Sequence, residues 1–351
     1  VEIIAKELSH IDCMALGEVM LRLDPGVDRI RKTDQFRVWE GGGEYNVIQG
    51  LSSCFGHKTG IITALVDNEV GHLIAGLVQR AGVSTDWIEW KEHDGIGRSV
   101  RNGMYFMERG FGERGAKAVM DRGHTPISQL TVKDIDWDAL FAKAKPRWFH
   151  VGGVMAALSE SSPSVVEASM IAAKKHGAIV SYDLNYRASL WKDRGGREAA
   201  NACNARLTQK ADVLFGIESL PREVDTLDKE VFSEALHSMK ARFPNVQLFV
   251  TTMRIVKDAS HNDWGGLCLH NGEIFASRDY NNLPIFDRVG GGDAFAAGLI
   301  HGLLNDQPMQ TCIDLAAAHG ALVMSTAGDN SMSSKEEVYA YAGGAGAAAN
   351  R

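Results

Sequence analysis

The chain has 351 residues, 45% of them hydrophobic and 23% charged, and carries a formal net charge of −7. That length is enough for a large buried core. The lack of any apolar run near membrane-span length gives no reason to expect a membrane protein. The negative balance, with no Lys/Arg run, disfavours nucleic acid as a partner. Cys13, Cys54, Cys203, Cys268 and Cys312 are odd in number, scattered and without C-x-x-C spacing. They argue against a disulfide framework or a zinc site and read as reduced thiols. Val1 to Asp12 lacks the long apolar centre of a signal peptide, so a cytoplasmic protein is expected.

Taken in chain order, apolar runs alternate with amphipathic segments, the pattern of a mostly parallel sheet flanked by helices. Glu18 to Trp39 breaks that rhythm by alternating polar and apolar residues, as exposed strands do. Asn46 to Phe55 is a predicted helix stopped by Gly56, and Thr59 to Thr63 a strand after it. His72 to Ala81 is a helix stopped by Gly82. Gly95 to Gly123 alternates like the first segment and is rich in glycine and arginine, so the two are expected to pair as a small sheet beside the main body. Trp148 to Val151 reads as a buried strand, and Pro163 to His176 as a helix with proline in its first turn and Gly177 after its end. Further strands are read at Ala178 to Tyr182, Val213 to Phe215 and Gln247 to Thr251, with a helix over Asp228 to Arg242 between the last two. The small-residue end, Gly343 to Arg351, reads as a frayed tail.

The chemistry is concentrated in Asp287-Arg-Val-Gly-Gly-Gly-Asp-Ala-Phe295, followed by an apolar helix from Ala294 to Leu304. Glycines let the backbone turn tightly and point several N–H groups at one place. The helix start adds unpaired amides and the positive end of its dipole, which suits a phosphate. A carboxylate at Asp293, beside that start, is placed to take a proton from a hydroxyl attacking a phosphoryl group. Taken alone, the same residues also describe an acidic cap ahead of a buried helix.

The late motif, together with Gly41-Gly-Gly-Glu-Tyr-Asn46 in the N-terminal half, resembles the paired signatures of the ribokinase-like carbohydrate kinases, the PfkB family. The resemblance runs from about Ala15 to Ala327. It implies a three-layer α/β/α core with a mostly parallel central sheet, and a small β-sheet lid from about 18–39 and 95–123. The whole chain would be one kinase domain, with the core running to about 330 and a tail at 343–351. It implies ATP and Mg2+ as cofactors, Gly290, Gly291 and Gly292 as an anion hole, and Asp293 as the base. Gly41, Gly42 and Asn46 would be substrate-side residues, and the lid would form a homodimer surface.

Ser181 to Trp191 resembles the D-x-N-Y-R-x-x-L-W segment of 2-keto-3-deoxygluconate kinases, which makes Arg187 the expected partner of a sugar-acid carboxylate. A guanidinium grips a carboxylate through two parallel hydrogen bonds. The bland alternative is that Arg187 pairs with Asp183 to hold the loop. Tyr105 matches a position whose ring lies against the sugar, and Arg122 a lid arginine that reaches into the pocket. Asp24 sits where relatives for neutral sugars hold their substrate. Thr251, Arg254 and Gly328 are the nucleotide-side expectations, with Asp329 following as a loop cap. Glu218 stands in for the poorly matched N-x-x-E motif that organises magnesium. The expected reaction is transfer of the ATP γ-phosphate to the terminal hydroxyl of a keto-deoxy sugar acid. The alternatives are a kinase for a neutral sugar and a sugar-sensing relative without catalysis. A dinucleotide fingerprint and a G-x-x-x-x-G-K-[ST] loop are both missing from the sequence.

Overall fold

The computed structural model describes residues 11–344. The leaderless start and the frayed end expected above lie outside the described residues, apart from Ile11 and Asp12 on one side and Gly343 and Gly344 on the other. The strands are β1 (Cys13–Leu16), β2 (Met20–Asp24), β3 (Arg37–Gly41), β4 (Thr59–Asp67), β5 (Val83–Glu92), β6 (Met104–Glu108) and β7 (Lys117–Asp121) in the first part of the chain. They continue as β8 (Trp148–Gly152), β9 (Ile179–Asp183), β10 (Val213–Phe215), β11 (Leu248–Val256), β12 (His261–His270), β13 (Glu273–Ala276) and β14 (Tyr280–Pro284).

Ten of these form one sheet in the order β13-β12-β11-β10-β9-β8-β1-β4-β5, with β14 also paired to β12. From β11 across to β5 every pairing is parallel, and the β12–β14 end is antiparallel. Side chains alternate faces along each strand. Cys13, Ala15, Ile61, Val213 and Val250 therefore pack into one core with the helices Gly43–Ser53, Gly291–Leu304 and Met309–Val323. Met14, Leu16, Ile62, Leu214 and Phe249 pack into a second core with Ser162–Lys175 and Lys229–Arg242. The three-layer α/β/α arrangement expected from the alternating pattern is the observed one.

The predicted helices are present, and several begin earlier than the apolar pattern suggests. Gly43–Ser53 starts three residues before Asn46 because Gly42, just after the end of β3, is its N-cap. Glu69–Arg80 starts before His72 because the Asn68 side chain accepts from the Gly71 amide at 2.9 Å, a polar cap that apolar periodicity does not register. The ten-residue edge strand β5 and the β12–β14 hairpins escaped the sequence reading; β5, β13 and β14 are half-exposed and resemble loop composition, while β12 is mostly buried but rich in polar and glycine residues.

The second sheet has four strands in the order β3-β2-β6-β7, drawn from the two segments expected to pair. Its register sets two adjacent cross-strand rows. Val38, Leu23, Phe106 and Val119 lie on one face, and Trp39, Arg22, Tyr105 and Met120 on the other. The second face covers the carboxyl ends of the main-sheet strands, where ligands bind in open α/β sheets.

The second core gives a direct test of this packing. Phe149 is fully buried and meets Phe141 edge-on, with ring centroids 5.2 Å apart. Phe149→Ala is expected to destabilise the chain by about 3–5 kcal/mol, read as a lowered urea midpoint with little change in the slope.

Candidate active site

A cleft of about 1080 Å³ opens between the main sheet and the small sheet. The loop after β3 and the helix Gly291–Leu304 bring the two glycine motifs to it, although they lie far apart in sequence. The Asn46 side chain joins them. Its Nδ2 donates to Asp293 at 2.8 Å, while its Oδ1 accepts from the Gly42 amide at 3.3 Å.

The turn before Asp293 depends on glycine for steric reasons. Gly290 caps the helix at φ +83°, a left-handed conformation, and a Cβ there would lie 2.1 Å from the carbonyl oxygen of Asp329. At Gly42 a Cβ would lie 1.9 Å from the Glu18 carbonyl oxygen. Gly292 differs, since a Cβ there would meet nothing within 4 Å and the space beside it is open to the cleft. No side chain caps this helix start, which leaves its first-turn amides and dipole available to an anion.

Three of the carboxyl groups lining the cleft are raised by burial. Burial pushes Asp293 up to about 7, against the hydrogen bond from Asn46 and with the help of the Asp183 charge. Burial likewise raises Glu44 to about 7 and Asp183 to about 6. Glu44 accepts from the Met155 amide at 3.2 Å through one oxygen, and its other oxygen is buried without a partner among the described residues. Asp183 lies at the end of β9 and accepts from the Asn185 amide at 3.0 Å.

Arginines face these acids. Arg187 and Arg254 line the cleft, and neither side chain has a hydrogen-bond or ion-pair partner among the described residues. The alternative in which Arg187 pairs with Asp183 is therefore not observed, although its charge still holds Asp183 down. Arg122 also lines the cleft and pairs with Glu18 at 2.5 Å. Tyr105 is buried at the cleft wall and donates to Asp329 at 2.5 Å.

Of the other expected positions, Gly42, Gly290, Gly291, Thr251 and Glu218 line the cleft, and three do not. Gly41 lies behind the wall, packed under the Tyr105 hydroxyl and the Asp329 carboxylate. Asp24 is drawn into ion pairs with Arg22 and Arg109. Gly328, at φ +94°, turns the chain against the Trp39 ring. Asp329, read as a loop cap, is instead buried in contact with Arg22 and Tyr105. The sequence reading also missed Arg22, Glu44 and Arg288. The alternation Met20-Leu-Arg-Leu-Asp24 placed Arg22 and Asp24 on one face of a strand and was the available signal for the first of them.

Among the described residues no group of three His, Cys, Asp or Glu side chains is arranged to hold a metal ion by itself. Glu218 gives one oxygen to Arg242 and keeps the other buried without a partner. One such carboxylate in the same cleft as the glycine turn fits magnesium, which takes few protein ligands and completes its shell with phosphate and water. No helix among the described residues is long and apolar enough to cross a membrane.

A glycine-lined anion turn, an adjacent carboxyl and a small covering sheet define a carbohydrate kinase of the ribokinase-like fold. Residues 10–336 match the pfkB family carbohydrate kinases, and the chain belongs to that family. It is similar to the structure of 2-dehydro-3-deoxygluconokinase from Thermotoga maritima, with 33% identity, a TM-score of 0.86, and coverage of 95% of this chain and 100% of that one. It is 25% identical to 2-dehydro-3-deoxygalactonokinase of Haloferax volcanii over 93% of this chain and 95% of the relative. In fold it also resembles a provisionally assigned ribokinase II from E. coli in complex with ATP and Mg2+, at 16% identity, a TM-score of 0.74, and coverage of 95% and 99% of the two chains.

The Asn46 contact predicts a measurable shift. Its N–H favours the charged form of Asp293, so Asn46→Ala is expected to raise the Asp293 pKa further. Carboxyl-carbon NMR titration of the ligand-free protein reads this directly, and an unchanged or lowered value would contradict it.

Proposed function

We propose that this chain is an ATP-dependent kinase that phosphorylates the terminal hydroxyl of a keto-deoxy sugar acid, foremost 2-keto-3-deoxygluconate (2-dehydro-3-deoxygluconate). The observation that carries the reading is Arg187, a guanidinium with no hydrogen-bond or ion-pair partner among the described residues, in the same cleft as Asp293 and the glycine turn. A neutral sugar offers such a cation hydroxyl acceptors but no matching charge, whereas a carboxylate takes both arms of its fork. Two of the similar kinases, the 2-dehydro-3-deoxygluconokinase and the 2-dehydro-3-deoxygalactonokinase, are named for dehydro-deoxy sugar acids, which supports the same substrate class.

In this mechanism Arg187 holds the carboxylate end of the sugar, with Arg122, Tyr105, Gly42 and Asn46 around the rest. Asp293 accepts the proton of the terminal hydroxyl, whose oxygen attacks the γ-phosphorus as the bond to ADP breaks. Asn46 keeps Asp293 in place for that transfer. The Gly290–Gly292 amides stabilise the negative charge on the moving phosphoryl group. Thr251 and Arg254, which line the cleft, are assigned to the nucleotide side, and Glu218 to the cation. Bound ATP and Mg2+ supply the phosphoryl group and the charge that offsets it. The reading treats the chain as one cytoplasmic kinase unit. It also assigns the apolar row Val38, Leu23, Phe106 and Val119 to a homodimer contact.

The first experiment is ADP release with Mg-ATP and a panel containing 2-keto-3-deoxygluconate, its galactonate epimer, fructose and ribose. Turnover restricted to the keto-deoxy acids is expected, and turnover of a neutral sugar alone would reject the acid-sugar assignment. Asp293→Asn should lower kcat by about 10²–10⁴-fold. Arg187→Met should raise KM for the acid by about 10–100-fold.

The pH dependence has a defined sign. Asp293 accepts a proton only when ionised, so kcat/KM should fall as pH drops through about 7. Because the Asp183 charge helps raise Asp293, Asp183→Asn should move that acid limb to lower pH. A limb that stays in place would separate the two groups.

A further inference from the structure

Arg22 is a buried charge that the mechanism above leaves unused. It lies on β2 in the small sheet with no exposed surface, yet it donates to three carboxylates: Asp24 at 2.9 Å, Asp287 and Asp329. Two of these belong to the segments that build the phosphate-binding turn. Asp287 opens the glycine motif, accepting from the Val289 amide at 3.3 Å and the Gly328 amide at 3.4 Å. Asp329 follows Gly328, and its carbonyl lies directly against Gly290. Tyr105 donates to Asp329 as well, and Arg109 brings a second cation to Asp24 at 3.2 Å.

We propose that Arg22 is a positioning residue for phosphoryl transfer, an internal cation from the covering sheet that holds the glycine turn and the Gly328–Asp329 loop together behind the anion site. The proposal rests on the kinase reading and adds a residue to it. Removed from water, Asp287 and Asp329 repel each other, and a single planar guanidinium can bond both at once. Without it, the two loops separate or a carboxyl takes up a proton, and either change displaces the amides of Gly290–Gly292. An ammonium at this position is a point donor and cannot span both acceptors in the same way.

The test uses the full-length chain with Arg22→Ala and Arg22→Lys. Calorimetric titrations with Mg-ATP and with adenosine are paired with steady-state kinetics on whichever sugar acid the wild type phosphorylates. For a folded Arg22→Ala, ATP affinity is expected to fall about tenfold or more and kcat about 10²-fold. Adenosine affinity and KM for the sugar should stay within about threefold. Added guanidinium ion should recover part of the lost turnover, and Arg22→Lys should lie between the alanine variant and wild type. ATP affinity and kcat within threefold of wild type would overturn the proposal. Equal loss of adenosine and ATP binding with no response to guanidinium would also overturn it, since that marks a merely structural clamp. If Arg22→Ala does not fold, Arg22→Gln/Asp329→Asn leaves one fewer buried carboxylate without a partner, and the same comparison is run on it. A wild type that binds ATP but phosphorylates no sugar acid would sink the substrate assignment while leaving the nucleotide arm of this test intact.

Discussion

The hydrogen bond from Asn46 to Asp293 joins the two halves of the site, and much else follows from the need to form it. A carboxyl removed from water far enough to titrate near 7 also loses the solvent that would hold it in place. A fixed amide donor restores orientation at a small cost in basicity. For that donor to reach, the helix carrying Asn46 must start at the mouth of the main sheet, close to the helix carrying Asp293. The first is capped at Gly42 and the second at Gly290, and a side chain at either cap would strike a carbonyl oxygen about 2 Å away. The glycines are thus required first by packing, and the open amides come with that requirement.

Charge in the cleft is divided by role. Asp293, Asp183 and Glu44 are all raised from ordinary carboxylate values, with burial as the leading cause. Among the described residues Arg187 and Arg254 have no hydrogen-bond or ion-pair partner on the wall, while Arg122 is already matched by Glu18. A chain with a net charge of −7 does not draw anions in through its overall field. An anionic substrate and an anionic nucleotide must be met by local donors, and the unpaired arginines and uncapped helix start are such donors. The covering sheet contributes to both sides of this balance through Arg22, Tyr105 and Arg122.

Much of this could be read along the chain. The strand–helix alternation gave the layered sheet, because a parallel sheet covered on both faces needs apolar residues on both faces of each strand. Glycine stops marked helix ends well, and capping by Asn68 or Gly42 moved helix starts in ways that apolar periodicity does not reveal. Asp293, Asn46 and Arg187 were recognisable because each sits in a short contiguous motif. Arg22 was not, since it lies outside those motifs and two of its partners are hundreds of residues away; Glu44 lies within the first motif, but its contact with the Met155 amide comes from a distant segment. Gly41, Asp24 and Gly328 were drawn toward the site by motif proximity, yet packing against Tyr105, Arg109 and Trp39 places them behind its wall.

By itself, then, the sequence determined the elements, the glycine turns and the residue types able to bind phosphate and carboxylate, because these depend on local backbone freedom and side-chain chemistry. The tertiary structure decided which of those groups share one cleft and which acids are raised by burial. It also left Arg187 free while enclosing Arg22 among three carboxylates. Those outcomes depend on distance and solvent exclusion between distant segments, quantities that exist only once the sheet has brought its strand ends together.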